Sequence, residues 1–296
     1  MGEGESAAEE GGIGPKRTGR IFAVFSAYLD ESKNSNAFVI GGWLCSDDGW
    51  GPIEDEWQGR IEHEQRISVK HGFPPITRYH AADCSSLVGE FDRSKGWDNR
   101  RQLRFAKKLI EILGKRRRHP LAGIVVGASM SGWQKAYADR KRAEKNVYRL
   151  CMMNCALHIG ELMDIHWPRE RFSIFYEHGP FHDAAQNAFS ALKAPDFRYR
   201  DMLVSVAPLR WQDAIALQPA DFMAYEGMKA VNLAVKTGMT NMGERMRKSL
   251  RALLGTRVGM TGWYFTNDVF EATVNWRQTG KFESDTPVTG SQPSTL

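Results

Sequence analysis

An apolar run that ends in two acids constrains this chain more than any other stretch of its sequence. Residues 22–29 read FAVFSAYL and are followed at once by Asp30, Glu31 and a polar turn over 32–36. β-Branched and aromatic residues with little charge, closed by turn-forming residues, predict a buried strand. A second apolar run at 37–45 should pair antiparallel with it as a hairpin. Asp30 is thus expected at a sheet edge, where a metal ion or a basic partner would offset its desolvation; the alternative is that it only begins the turn.

The composition is that of an ordinary globular protein. The chain has 296 residues, 42% hydrophobic and 25% charged, which is enough for a large core. No apolar run approaches the roughly 20 residues of a membrane-spanning helix, and the acidic N-terminus does not resemble a signal peptide, so we expect a cytoplasmic protein without membrane contact. The four cysteines are scattered and are expected to be reduced. A net charge of +5 by itself gives little support for a nucleic-acid partner.

Hydrophobic periodicity predicts alternating strands and helices after the opening hairpin. Further strands are predicted at 121–130, 171–177 and 203–207, and helices at 50–69, 97–114, 147–163, 182–192, 219–235 and 243–254, with a last segment at 267–276. Helix 50–69 carries Ile53, Trp57, Ile61 and Glu64 at spacings of three and four residues. Because no linker interrupts the chain, we expect one α/β domain over 20–279, a mixed sheet flanked by helices, between disordered tails at 1–19 and 280–296.

Three acids stand out by their positions. Asp30 and Glu177 each follow a predicted strand, and Asp221 lies in the first turn of the helix that Pro219 begins. Mg²⁺ and Mn²⁺ prefer oxygen ligands, and two-metal phosphodiester chemistry needs acids from separate elements in one site. Each acid also has a structural explanation, as a turn residue or through the helix dipole, which is worth about 0.3–1 kcal/mol. Asp213 is a secondary metal-ligand candidate, since a continuous helix would place it about 12 Å from Asp221.

Histidine, cysteine and aromatic residues offer weaker candidates. His80 is either a general acid or outer ligand, or a histidine satisfied by local backbone. Cys151 and Cys155 share a helix face and could bind zinc with Cys84 and His80, but no close-spaced Cys/His pair supports this, and core packing explains them better. The WYF segment at 263–265 is either a stacking platform for bases or, more simply, core.

Three short motifs together carry a family resemblance. YLDES at 28–32, HAAD at 80–83 and LQPAD at 217–221, in that order, resemble a widespread bacterial family with an early Asp-Glu-Ser and a late Leu-Gln-x-Ala-Asp motif. The resemblance spans most of 22–230 and implies an RNase H-like fold and a RuvC-like nuclease that uses Mg²⁺ or Mn²⁺. By the residue match, Asp30 and Asp221 take the family's acidic positions and Glu31 a supporting one, whereas Glu177 is assigned from its strand end. Pro219 departs from the aliphatic residue expected there.

Basic residues are concentrated in helix 97–114 and just after it. Leu103, Ala106, Ile110 and Leu113 are expected on its apolar face, and the expected phosphate contacts are Arg100, Arg101, Arg104, Lys107, Lys108, Arg116, Arg117 and Arg118. The alternative is an ordinary solvated helix face. Two hypotheses result: a metal-dependent nuclease acting on DNA or RNA, or a catalytically inactive scaffold that binds nucleic acid or a protein partner. Convergence of the acids around an open, basic cleft would favour the nuclease.

Overall fold

The computed structural model describes residues 24–115, 121–137, 139–238, 248–254 and 259–265. The expected disordered tails at 1–19 and 280–296, the Arg116–Arg118 run and the predicted segment at 267–276 lie outside these residues.

A single mixed sheet forms the centre of the described structure. Its six strands are β1 (Val24–Lys33), β2 (Ala37–Ser46), β3 (Ala122–Ser129), β4 (Arg171–Glu177), β5 (Leu203–Leu209) and β6 (Gly259–Phe265). They lie in the order β5-β4-β1-β2-β3-β6. β2 is antiparallel to both of its neighbours, as the predicted hairpin requires, and all other neighbouring pairs are parallel. The predicted α/β fold with a mixed sheet is confirmed, and it is consistent with an RNase H-like architecture.

Helices cover both faces of this sheet and make three layers. They are α1 (Asp47–Lys70), α2 (Ala81–Ser86), α3 (Asn99–Leu113), α4 (Met130–Ala136), α5 (Arg140–His166), α6 (His182–Leu192), α7 (Leu217–Thr237) and α8 (Lys248–Leu254). One buried core joins α4, α5 and α6 to the sheet, and a second core joins α1, α2, α3 and α7 to its other face. No described helix has the length and apolarity that crossing a bilayer would require.

The α7 helix lies against the sheet and begins earlier than the sequence predicts. Because it starts at Leu217, Pro219 is its third residue, where the missing N–H would have no partner inside the helix in any case. Asp221 therefore falls in the second turn, and the expectation of a first-turn acid stabilised by the helix dipole is wrong. A Cβ on Gly41 of β2 would lie 2.8 Å from the backbone nitrogen of Ala224, which shows how closely α7 packs on the strand.

Candidate functional site

Two acids follow the last paired residues of two neighbouring parallel strands. β4 ends at Glu177, but β1 continues to Lys33 in its pairing with β2, so the expectation that Asp30 comes after the strand is wrong. The register of β1 and β4 pairs Leu29 with Tyr176, the residues immediately before Asp30 and Glu177. Leu29 and Tyr176 both belong to the core on the α5 side. Since side chains alternate along a strand, Asp30 and Glu177 face the opposite side, which α7 covers, on strands about 4.8 Å apart. The structure thus brings together the two acids that the sequence places at strand ends.

The third acid comes from α7. Gly41, the β2 partner of Asp30, lies against the backbone of α7 at Ala224, three residues after Asp221. This close approach of helix and strand places Asp221 near Asp30, and the charge of Asp221 raises the pKa of Asp30 more than the charge of any other acid does. Its Oδ2 accepts a hydrogen bond from the backbone N–H of Ala81 at 2.7 Å.

Burial and repulsion raise the pKa of three acids in the carboxylate cluster, which we define as Asp30, Glu31, Glu177 and Asp221. Asp30 is only 8% exposed, and burial, followed by the charges of the other three acids, raises its pKa well above the ordinary value. Burial and then the charge of Glu177 raise the pKa of Glu31 to about 7. Burial raises the pKa of Asp221 to about 6, although nearby His80 and the Ala81 N–H bond oppose the shift. The net effect of burial and of the neighbouring charges is therefore to disfavour the ionised form of these three acids.

Two basic side chains border the cluster. The Arg78 Nη1 atom lies 3.5 Å from Glu177 Oε1, and the positive charge of Arg78 also lowers the pKa of Asp221. His80, the candidate general acid, is the residue before α2, and its Nδ1 lies 3.1 Å from Asp83 Oδ2. Sequence reasoning did not single out Arg78, because an isolated arginine in a loop carries no local signal.

The HAAD and LQPAD motifs form one structural unit. The buried Gln218 Oε1 accepts hydrogen bonds from the backbone N–H of Tyr79, at 2.8 Å, and from Trp57 Nε1, at 3.2 Å. Asp221, one turn further along α7, binds the N–H of Ala81. Gln218 and Asp221 therefore hold alternate amides of the segment that contains His80. Both motifs are evident in the sequence, but no sequence pattern predicts that they touch.

The carboxylate cluster has suitable donors for Mg²⁺ or Mn²⁺, since these hard cations bind carboxylate oxygens. Among the described residues, however, no three His, Cys, Asp or Glu side chains are arranged so that they could hold a metal ion as they stand. Two of the acids are turned toward protein groups, Asp221 to Ala81 and Glu177 to Arg78. The carboxylates are donors of the right type, and they come from separate elements that meet at one place in the fold. To bind a metal ion, Asp221 and Glu177 would have to turn away from Ala81 and Arg78.

Asp213 does not take part in any described contact with the cluster. It lies in a turn before α7, where its carboxylate accepts hydrogen bonds from Arg210 Nε at 2.8 Å and Nη2 at 3.2 Å. This pairing lowers the pKa of Asp213. The sequence suggested it as a secondary metal ligand, and the structure gives it a surface ion pair instead.

The suggested zinc set is divided by the sheet. Cys84 belongs to the core on the α7 side, whereas Cys151 and Cys155 belong to the core on the α5 side. A zinc site that uses these cysteines together is therefore wrong, and the expectation that they pack in the core is confirmed. Phe265 is also a core residue, whereas the side chains of residues 263 and 264 lie outside the description.

Arg101 is wrongly assigned to the phosphate-binding face of α3. It is 6% exposed, and its Nε donates to Glu64 Oε2 at 2.9 Å while its guanidinium lies 4.0 Å from the ring centre of Trp97. Glu64 is fully buried on the inner face of α1, so it requires a cation. The expected apolar face is also partly wrong, because Leu103 is 65% exposed.

The other basic residues of α3 remain candidates for phosphate contact. Arg100, Arg104, Lys107 and Lys108 are exposed, and Lys108 pairs with Glu111 at 2.7 Å. The expected contacts Arg116, Arg117 and Arg118 lie outside the described residues. Comparison with known proteins adds no assignment, since no protein-family model and no curated protein matches the chain.

Proposed function

We propose that this chain is a metal-dependent nuclease that hydrolyses phosphodiester bonds of DNA or RNA in the cytoplasm. The observation that supports it is the gathering of carboxylates from two neighbouring strands and a helix, three of which, those of Asp30, Glu31 and Asp221, have pKa values raised by burial and by neighbouring acids. Like charges in a buried position are unfavourable unless a cation compensates them. Asp30, Glu177 and Asp221 would hold Mg²⁺ or Mn²⁺, with Glu31 in support, and the metal would polarise a phosphate and activate a water molecule.

The residues of the site have different tasks in this proposal. One oxygen of Asp30 accepts the N–H of Glu31 at 2.8 Å, which fixes the carboxylate and leaves the other oxygen for the metal. Glu177 and Asp221 would leave Arg78 and Ala81 to complete the site. His80 would donate a proton to the leaving oxygen, since histidine exchanges protons near neutral pH.

A scaffold that lacks catalysis is the second candidate. It is favoured by the contacts that Asp221 and Glu177 already make within the chain, a hydrogen bond to Ala81 and an ion pair with Arg78. It is also favoured because no three described His, Cys, Asp or Glu side chains are arranged to hold a metal ion. In that case the acids would only organise the segment before α2, and the basic residues would bind nucleic acid or another protein.

Cleavage assays on single-stranded and duplex DNA and RNA, with Mn²⁺ or Mg²⁺ and with EDTA, distinguish the two. We expect metal-dependent cleavage that Asp221→Asn abolishes, because the amide keeps the bond from Ala81 but loses the charge that binds metal. Asp201→Asn is the control, since that carboxylate is 91% exposed. A wild-type protein that leaves every substrate intact with both metals would exclude the nuclease and favour the scaffold.

A further inference from the structure

Arg78 has an organised position at the edge of the carboxylate cluster. Its guanidinium lies over Trp211, 4.6 Å from the ring centre, and its Nη1 lies 3.5 Å from Glu177 Oε1. The side chain is 26% exposed, so ligands can reach it. A cation stacked on an aromatic ring keeps its plane in one orientation.

The backbone on both sides of Arg78 is held by side-chain hydrogen bonds. Thr77 donates from its backbone nitrogen and from Oγ1 to the carboxylate of Glu90, both at 2.7 Å. On the other side, the N–H of Tyr79 donates to Gln218 at 2.8 Å. The arginine is therefore fixed at its backbone and at its guanidinium, which reduces the entropy that a ligand would have to overcome.

The contact with Glu177 leaves hydrogen-bonding capacity for a ligand. A guanidinium has five N–H donors, and charge-assisted bonds are normally about 2.7–2.9 Å long, so the 3.5 Å contact with Glu177 is a loose one. The two-pronged geometry of arginine suits a phosphate. A phosphate that approaches four acids also needs a positive charge beside them, because the acids alone would repel it.

We propose that Arg78 binds a backbone phosphate of the nucleic acid next to the carboxylate cluster, with Trp211 holding the plane of the guanidinium. This inference rests on the proposed nuclease function and adds a substrate-binding residue to it. Because the contact with Glu177 is loose, Arg78 is available to a phosphate in the metal-free protein, and a Glu177 that turned toward a bound metal would free it further.

The test measures binding of fluorescein-labelled DNA oligonucleotides, single-stranded and duplex, to metal-free protein over a range of salt concentrations. In Arg78→Gln, the slope of log affinity against log salt should flatten by about 0.7 for single strands and about 0.9 for duplex, the amounts for one phosphate contact. The KM for cleavage should rise by about tenfold or more. Arg78→Lys should keep most of the slope, because it keeps the charge. Its KM should still rise, because lysine lacks the two-pronged geometry of arginine.

A purely structural role predicts a different pattern. Arg78→Gln would then lower the melting temperature and weaken Mn²⁺ binding, with the salt slope unchanged. If Arg78 binds phosphate, Mn²⁺ should bind at least as tightly as in the wild type, because a neighbouring positive charge has been removed. Arg198→Gln is the matched control, since Arg198 also stacks on an aromatic ring, that of Tyr199, and pairs with an acid, Asp164.

The outcomes separate this inference from the nuclease proposal. A wild type that cuts nucleic acid, together with an Arg78→Gln variant of unchanged slope and KM, would overturn the role of Arg78 alone. A wild type that neither binds nor cuts would overturn both. A loss of slope in Arg198→Gln equal to that in Arg78→Gln would also count against a specific contact.

Discussion

Replacing Asp30 by Asn should make the metal-free protein more stable at neutral pH, although it removes a proposed catalytic residue. Asparagine has nearly the same volume, and its Oδ1 can still accept the N–H of Glu31, which Asp30 accepts at 2.8 Å. The change removes the carboxylate whose pKa is raised by burial and by the charges of Asp221, Glu31 and Glu177. In the absence of metal, the variant therefore loses a repulsion and keeps the local backbone.

The size of this effect can be estimated from the charges around Asp30, of which Asp221 acts most strongly, followed by Glu31 and Glu177. We take a separation on the order of 5 Å for neighbouring charges in the cluster, close to the spacing of adjacent strands. At an effective dielectric constant of about 20, two charges at that distance repel by about 3 kcal/mol. Water reduces this value, and we expect a gain of about 1–3 kcal/mol at pH 8, which corresponds to about 2–4 °C for each kcal/mol in domains of 150–250 residues.

The pH dependence has a definite sign. The pKa of Asp30 is raised in the folded protein, so the folded state binds more protons than the unfolded state between the two pKa values. Wild-type stability should therefore fall as the pH rises above about 4, the ordinary pKa of an aspartate. Below that pH, wild type and Asp30→Asn should be about equally stable, and above it they should diverge.

Denaturation in EDTA between pH 4 and pH 8, repeated with Mn²⁺, tests the reasoning. A metal at about 1,000 times its Kd should stabilise the wild type by about 4.1 kcal/mol, more than the expected advantage of Asp30→Asn, whereas the variant should gain little, so the order of stability should reverse. Asp201→Asn, at an exposed position, should follow the wild type in both buffers. If Asp30→Asn is less stable than the wild type in EDTA at pH 8, the argument from repulsion is refuted.

Two further predictions concern the packing around the site. Arg101→Gln should destabilise the protein by about 1–3 kcal/mol in urea denaturation, because the buried Glu64 keeps its ion pair with Arg60 but loses the one with Arg101. Arg104→Gln on the exposed face should change stability by less than about 0.5 kcal/mol. Equal effects of both changes would contradict the structural role of Arg101. Gly41→Ala should cost about 1–3 kcal/mol and slow cleavage, because its Cβ would lie 2.8 Å from the backbone of α7. Gly59→Ala is the control: it has open space around it in α1 and should stabilise the protein by about 0.5–1 kcal/mol. If Gly41→Ala has no effect on stability or cleavage, α7 does not pack tightly on β2.

The strands and the acids near their ends could be predicted from the sequence because both depend on local patterns. An apolar run that stops at an acid predicts the end of a strand, and parallel neighbours bring such ends together. The prediction is accurate for Glu177, where β4 ends, and three residues too early for Asp30, because β1 continues to Lys33 in its pairing with β2. The position of Asp221 required more, because its helix begins two residues before Pro219, the proline that local rules placed at the first position.

The basic face of α3 could not be read from its own periodicity. Arg101 is one of several cations on this helix, and only its packing against α1 shows that it is buried. The signal lay on the other helix, where Glu64 follows Ile53, Trp57 and Ile61 on the inner face. A charged residue on an apolar stripe requires a buried partner of opposite charge, so the pattern of α1 predicts a buried cation without saying which one.

The contacts that complete the site join segments far apart in the sequence. Ala81 and Asp221 are separated by 140 residues, and Tyr79 and Gln218 by 139, so no local pattern could pair them. In both bonds, a side chain from the first two turns of α7 accepts a backbone N–H of the segment that carries Arg78. The proposed metal ligand Asp221 and the proposed phosphate contact are therefore held by one helix end. It follows that loosening the Gln218 contact would disturb metal binding and substrate binding together, whereas a change at Arg78 itself would affect the substrate alone.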